Sequence, residues 1–200
     1  MKHQNIFTNL LKIAFYCVIG HFLFNIIAMF FYPGGHMISH DTTSYSMAYN
    51  FFSDLGRLRS WSDEPNMVSL VLFNLSLIFV CIGLSIYYFS LNYVLNDSRR
   101  VVLLSRIGTA VALICGLLFI GVGLTPADHI LDSHIFFVQN AFKCFLLLVL
   151  IYSLAFYLSR NVPNYLILVY VVFMLLVAYY VYILLWVPLA KNPTSSQLLF

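Results

Sequence analysis

Charge is what this chain has least of. Only 8% of its 200 residues are Asp, Glu, Lys or Arg, whereas 62% are apolar. A soluble domain of that size cannot hide so much hydrocarbon, so the composition excludes an ordinary soluble fold and points to a bilayer. The net charge of +3 carries no signal for nucleic acid, and none is expected as a partner. Cysteine is also sparse. Cys17, Cys81, Cys115 and Cys144 all sit in apolar runs without a CxxC pair, which argues against a disulfide framework and against a thiolate metal site. Internal repeats and low-complexity tracts are absent, so a single membrane domain over 1–200 is expected; whether a cofactor is bound stays open.

What is present is hydrocarbon in long runs. Crossing the hydrocarbon takes roughly 20 apolar residues as a helix. Five runs qualify, at about 8–32, 67–95, 101–124, 134–158 and 164–187. Backbone amides in lipid must be satisfied within the segment, so each run is read as a helix. The first is too long for the apolar core of a cleavable signal and is read as an uncleaved span. The fold class is therefore an all-α polytopic integral membrane bundle of five transmembrane helices. The third span carries Gly108, Ala112 and Gly116 at four-residue spacing, a stripe that lets helices approach closely. Tyr165 and Trp186 mark the two interfaces of the last span.

Basic residues set the expected orientation. With the N-terminus inside, Lys2, Lys12, Arg99, Arg100, Arg106 and Arg160 are cytoplasmic, against Arg57, Arg59 and Lys191 outside. The C-terminus then lies outside, and a bacterial cytoplasmic membrane is the expected location. The outer side receives every acid but Asp97, together with His36, His40, His129 and His134.

The only long polar stretch runs from Phe31 to Asn66. Asp41 can cap a helix starting at Thr42 and Gly56 can end it. Tyr45, Ala48, Tyr49, Phe52 and Leu55 then form an apolar stripe, opposite Ser46, Asn50, Ser53, Asp54 and Arg57. An amphipathic helix over about 42–55 is too short to span, so it is expected to be interfacial or re-entrant. In TPAD (125–128), Thr125 suits an N-cap, Pro126 a first helical position and Asp128 a capping box.

A second polar group lies within the spans. Asp132, Gln139 and Lys143 share one helical face with Asn140 at its edge, while His21 and Asn25 are one turn apart in the first span. An ionisable residue near mid-membrane normally faces the bundle interior with a partner, so Lys143 is expected to point inward near His21, Asn25 or Gln139.

NFFSDLG (50–56), PN-x-x-S-x-x-LFN (65–74) and TPAD-x5-H (125–134) resemble motifs of the bacterial domain-of-unknown-function 998 membrane proteins. They are also similar to those of the related damage-regulated autophagy modulator and GPI-remodelling membrane proteins. The resemblance covers roughly residues 20–145. Its matching positions are Asn50, Ser53, Asp54, Gly56, Asn66, Ser69, Asp128 and His134. Such proteins are described with six spans, against five counted here. The resemblance implies a place in membrane-lipid handling and supplies no reaction.

Two function classes stay open at this point. One is a binding or scaffolding protein. Its outer pocket, formed by Asn50, Ser53, Asp54, Arg57, Asp128 and His134, would hold a lipid headgroup or another membrane protein. The other is a membrane-embedded hydrolase or transferase acting on a lipid, in which carboxylate and imidazole do acid–base work or hold a metal. His36-x3-His40 offers two imidazoles for such a metal, although Gly34 and Gly35 precede it and oppose a rigid helix. Ser53 would need His134 as its base. An ion-coupled carrier using Asp132 and Lys143 is disfavoured by the lack of an inverted repeat.

Overall fold

The computed structural model describes residues 2–186, so Lys191 and the C-terminal end lie outside the described residues. Among the described residues five α-helices carry the fold: α1 (Lys2–Phe31), α2 (Met67–Leu91), α3 (Arg99–Gly123), α4 (Leu131–Leu158) and α5 (Asn164–Trp186). All five are long and apolar enough to cross a membrane, and the chain is a multi-pass integral membrane protein. Helix is the outcome because nothing but an intrasegment ladder satisfies the backbone in lipid. Each polar joint ends a helix. Ser98, for example, accepts from the Val101 amide and caps α3.

The helices pack in chain order, α1 on α2, α2 on α3, α3 on α4 and α4 on α5. Two apolar cores result. At one end, Tyr88, Leu91, Val101, Leu148, Tyr152 and Phe156 pack together. The fully buried Tyr152 hydroxyl lies 3.0 Å from the carbonyls of both Tyr88 and Ser105. At the other end, Ala28, Tyr32, Leu55, Phe73, Leu77 and Val122 surround the residues that join α1 to α2. The small stripe on α3 serves both neighbours. A Cβ on Gly108 would strike the Tyr152 ring of α4, and one on Gly116 would lie 2.8 Å from Cys81 Cα of α2.

The segment between α1 and α2 folds as a cap over one end of the bundle. The α-helix expected over 42–55 is reduced to a single 3-10 turn at Phe52–Gly56, preceded by turns and bends. Asp41 caps nothing, and Gly56 is not left-handed. Local polar side chains are the physical cause: Asn50 and Asp54 bond nearby backbone amides and compete with the helical ladder. Positive φ values fall at Gly34 (136°) and Gly35 (75°), where the chain leaves α1, and at Asp63 (62°) ahead of α2. The Gly35 amide donates to the Thr42 carbonyl at 2.8 Å, and a side chain on Gly34 would strike that same oxygen.

Candidate functional site

The cap is held by a continuous polar network. Asn50, fully buried, accepts from the Ser46 amide (2.9 Å) and donates to the Gly35 carbonyl (2.9 Å) and to Asp54 Oδ2 (3.1 Å). Asp54 Oδ2 also accepts from the Phe51 amide at 2.9 Å. Asn66 Nδ2 donates to the carbonyls of Leu55 and Arg57, and the Ser69 hydroxyl donates to the Leu55 carbonyl at 3.1 Å. Asp128 clamps the far side, accepting from the amides of Leu58 (3.0 Å) and Arg59 (2.8 Å). The resemblance motifs thus meet in space through Asn50, Asp54, Asn66, Ser69 and Asp128. Gly56 joins them because a Cβ there would lie 2.5 Å from the Phe73 ring.

Asp128 does this instead of closing a capping box. The residues after Thr125 form turns, α4 begins only at Leu131, and the Thr125 hydroxyl donates back to the Gly121 carbonyl at 2.8 Å. His134 is buried in the first turn of α4, where its Nδ1 donates to the Thr125 carbonyl at 2.7 Å. That bond places a proton on Nδ1 and ties α4 to the end of α3. Ser53 is half-buried and its hydroxyl has no hydrogen bond among the described residues, so the Ser53–His134 pairing of a serine nucleophile is not formed. Arg57 is half-buried and stacks its guanidinium 4.0 Å over the Trp61 ring.

Burial pushes the Asp54 carboxyl above its ordinary range, against the opposing pull of Asn50, Trp61, Arg57 and the Phe51 amide. The Trp61 indole favours the charged form by proximity, although its Nε1–H lies outside hydrogen-bonding geometry. The folded cap binds the Asp54 proton more tightly than the unfolded chain does. Its contribution to stability is therefore greatest at low pH and declines as pH rises through the raised value. Tyr32, whose hydroxyl accepts from the Trp61 amide at 3.2 Å, is pushed up to about 12 by the same burial.

The two cap histidines make separate contacts. His36 faces Ser39 across an isolated bridge, its Nδ1 accepts from the Ile38 and Ser39 amides, and its ring stacks on Tyr49. His40 packs against Trp61. Among the described residues, no group of three His, Cys, Asp or Glu side chains is placed to hold a metal ion.

The intramembrane cluster separates into two. His21 and Asn25 do meet: Asn25 Nδ2 donates to the His21 carbonyl at 2.8 Å, and His21 Nδ1 lies 3.3 Å from the Ser76 carbonyl on α2. Asn25 Oδ1 is buried without a partner. Lys143, expected to point inward, is exposed instead. The buried face of α4 runs through His134, Ala141, Leu148 and Ala155. Lys143 stands two residues past Ala141, about 200° round the helix, and α4 packs on α3 and α5 rather than on α1. Gln139 and Asn140 are half-buried, and Asn140 Nδ2 donates to the Phe136 carbonyl of its own helix.

An apolar cavity that no sequence pattern announces lies between the helices. It is a laterally open groove of about 690 Å3, lined by α1, α2, α4 and α5. A second cavity of about 230 Å3 shares Leu11, Tyr87 and Tyr170 with it and reaches the α4–α5 loop at Asn161–Pro163. No charged side chain lines either cavity. Polar groups on the walls include the Tyr87 and Tyr170 hydroxyls, 3.0 Å apart, and the His21 ring at the cap end. Phe52 of the cap packs on that ring at 6.2 Å, so the cap overhangs this end of the groove. None of Asn50, Ser53, Asp54, Arg57, Asp128 and His134 lines either cavity.

Comparison with family models, with curated proteins and with solved structures finds no match. Function is therefore argued from geometry.

Proposed function

We propose that this multi-pass protein binds a membrane lipid by its hydrocarbon chain, lodged in the groove between α1 and α5, and so serves lipid handling. The observation that carries this is the groove's combination of size and lining. Its 690 Å3 falls within the roughly 300–1,000 Å3 of ligand sites, and its wall is almost wholly apolar. At roughly 30 Å3 per water-sized group, that volume takes about twenty such groups, the scale of an acyl chain. A helix about 10 Å across would use the same volume in under two turns.

The smaller cavity continues the path to the membrane face opposite the cap. Lys12 and Arg160, next in sequence to the lining residues Leu11 and Asn161, are exposed at that end. Positive charge there suits an anionic headgroup, and the basic-residue bias makes this the cytoplasmic leaflet. A headgroup on the cap, the other place for one, would have to use Arg57 and Ser53. Asn50, Asp54, Asp128 and His134 are committed to internal bonds.

Val80 is half-buried in the groove wall, and Val80→Trp fills the space without touching the cap. Detergent-purified wild type is expected to carry about one lipid per chain by native mass spectrometry, and the variant about tenfold less. Wild type without lipid, or equal retention by both, would contradict the proposal.

A further inference from the structure

The exposed face of α4 carries a cation that no described residue pairs. Phe136, Leu147, Leu150, Leu154 and Tyr157 are exposed along one side of the helix, and Lys143 stands in their midst. Counting from Leu131 and Leu158, it lies about 18 Å and about 22 Å from the two helix ends. The hydrocarbon half-thickness is about 15 Å, so Lys143 sits near the bilayer centre with either interface distant. An unpaired ammonium facing lipid at that depth is costly and ordinarily marks an interaction.

The described residues offer no counter-charge to Lys143. Among the described residues the sole ion pair is Arg59–Asp63 in the cap. The one carboxylate within the spans is Asp132, at the start of α4, eleven residues or about 16 Å from Lys143. Gln139 stands one turn toward the cap end on the same side, and its side chain has no hydrogen bond among the described residues. A second copy cannot supply the missing charge. Two copies meeting through this face about an axis along the membrane normal would set Lys143 against Lys143 at equal depth.

We propose that the exposed face of α4 around Lys143 docks a transmembrane helix of a different protein, one presenting an aspartate or glutamate at mid-membrane depth. Lys143 makes the charge-assisted bond, Gln139 and the open Oδ1 of Asn140 add polar contacts, and Leu147 and Leu150 pack below. This is independent of lipid in the groove, which opens on the other side of α4 at Phe145.

The test uses the full chain in phosphatidylcholine vesicles, with a leucine-rich transmembrane peptide carrying one central Glu as probe. Energy transfer between labelled protein and peptide should report association at least tenfold tighter for the Glu peptide than for its Gln twin. Lys143→Leu should abolish the difference and Lys143→Arg should keep it. Leucine at an exposed membrane position should leave the fold intact, checked by unchanged thermal unfolding. Equal association of both peptides, persistence of the preference in Lys143→Leu, or Lys143-dependent transfer between two copies of the protein would overturn the proposal. So would a preference that appears only in anionic vesicles, because the ligand of Lys143 would then be a lipid.

Discussion

Asn50→Leu is expected to speed tryptic cleavage at Arg57 and Arg59 by about a hundredfold while leaving the five helices in place. Asn50 is fully buried and spans the cap from the Gly35 carbonyl to the Ser46 amide and the Asp54 carboxylate. Leucine has similar bulk, so no cavity opens; what disappears is three hydrogen bonds at about 1 kcal/mol each. A further consequence falls on Asp54, only 3% exposed, which keeps the Phe51 amide and loses its side-chain partner. Leaving that buried carboxyl short of a partner adds about 1–3 kcal/mol. When opening is fast relative to cutting, cleavage follows the open population, and 3 kcal/mol is more than a hundredfold. A rate within threefold of wild type would show that the network does not hold the cap.

Gly116→Leu should lower the unfolding midpoint by about 10 °C, followed with a thiol-reactive dye on the buried Cys17, Cys81 and Cys115. A Cβ at residue 116 would lie 2.8 Å from both Cys81 Cα and Sγ. Because one of those atoms is backbone, α2 and α3 must separate rather than one side chain turn aside. Forced separation of a packed pair costs about 3 kcal/mol, and a chain of this length loses about 2–4 °C per kcal/mol. Gly20→Ala is the contrast: its Cβ would meet the Phe79 ring at 3.0 Å and no backbone, so its shift should stay under about 3 °C. Equal shifts would mean that the α2–α3 approach is not tight.

Apolar run length located the helices well because the bilayer imposes one rule on every span. The run read as 101–124 is Arg99–Gly123, and that read as 164–187 is Asn164–Trp186 as far as the described residues extend. The cap was less legible. Tyr45, Tyr49 and Phe52 recur at helical spacing, yet the nearby Asn50 and Asp54 side chains take backbone amides and break the ladder. Periodicity registers the apolar residues and misses that competition. The same two residues were prominent in the sequence as polar groups in an apolar chain, and burial explains why.

Lys143 failed differently. The sequence assigns residues to a helical face but does not say which face meets a neighbour. On α4 the choice lay between the Asp132–Gln139–Lys143 face and the Ala141–Leu148–Ala155 face, and the small-residue face packs. The groove was invisible for a related reason. Leu11, Val80 and Phe173 become one wall only when α1, α2 and α5 are placed side by side, and no local pattern encodes that.

Lipid in the groove is the central claim, and photolabelling tests it most directly. A phospholipid with a diazirine on its acyl chain, reconstituted with the protein and irradiated, should attach mainly to the peptides holding Leu11–His21 and Val169–Phe173. Labelling spread evenly over lipid-facing residues such as Phe136, Leu150 and Tyr157 would contradict the account.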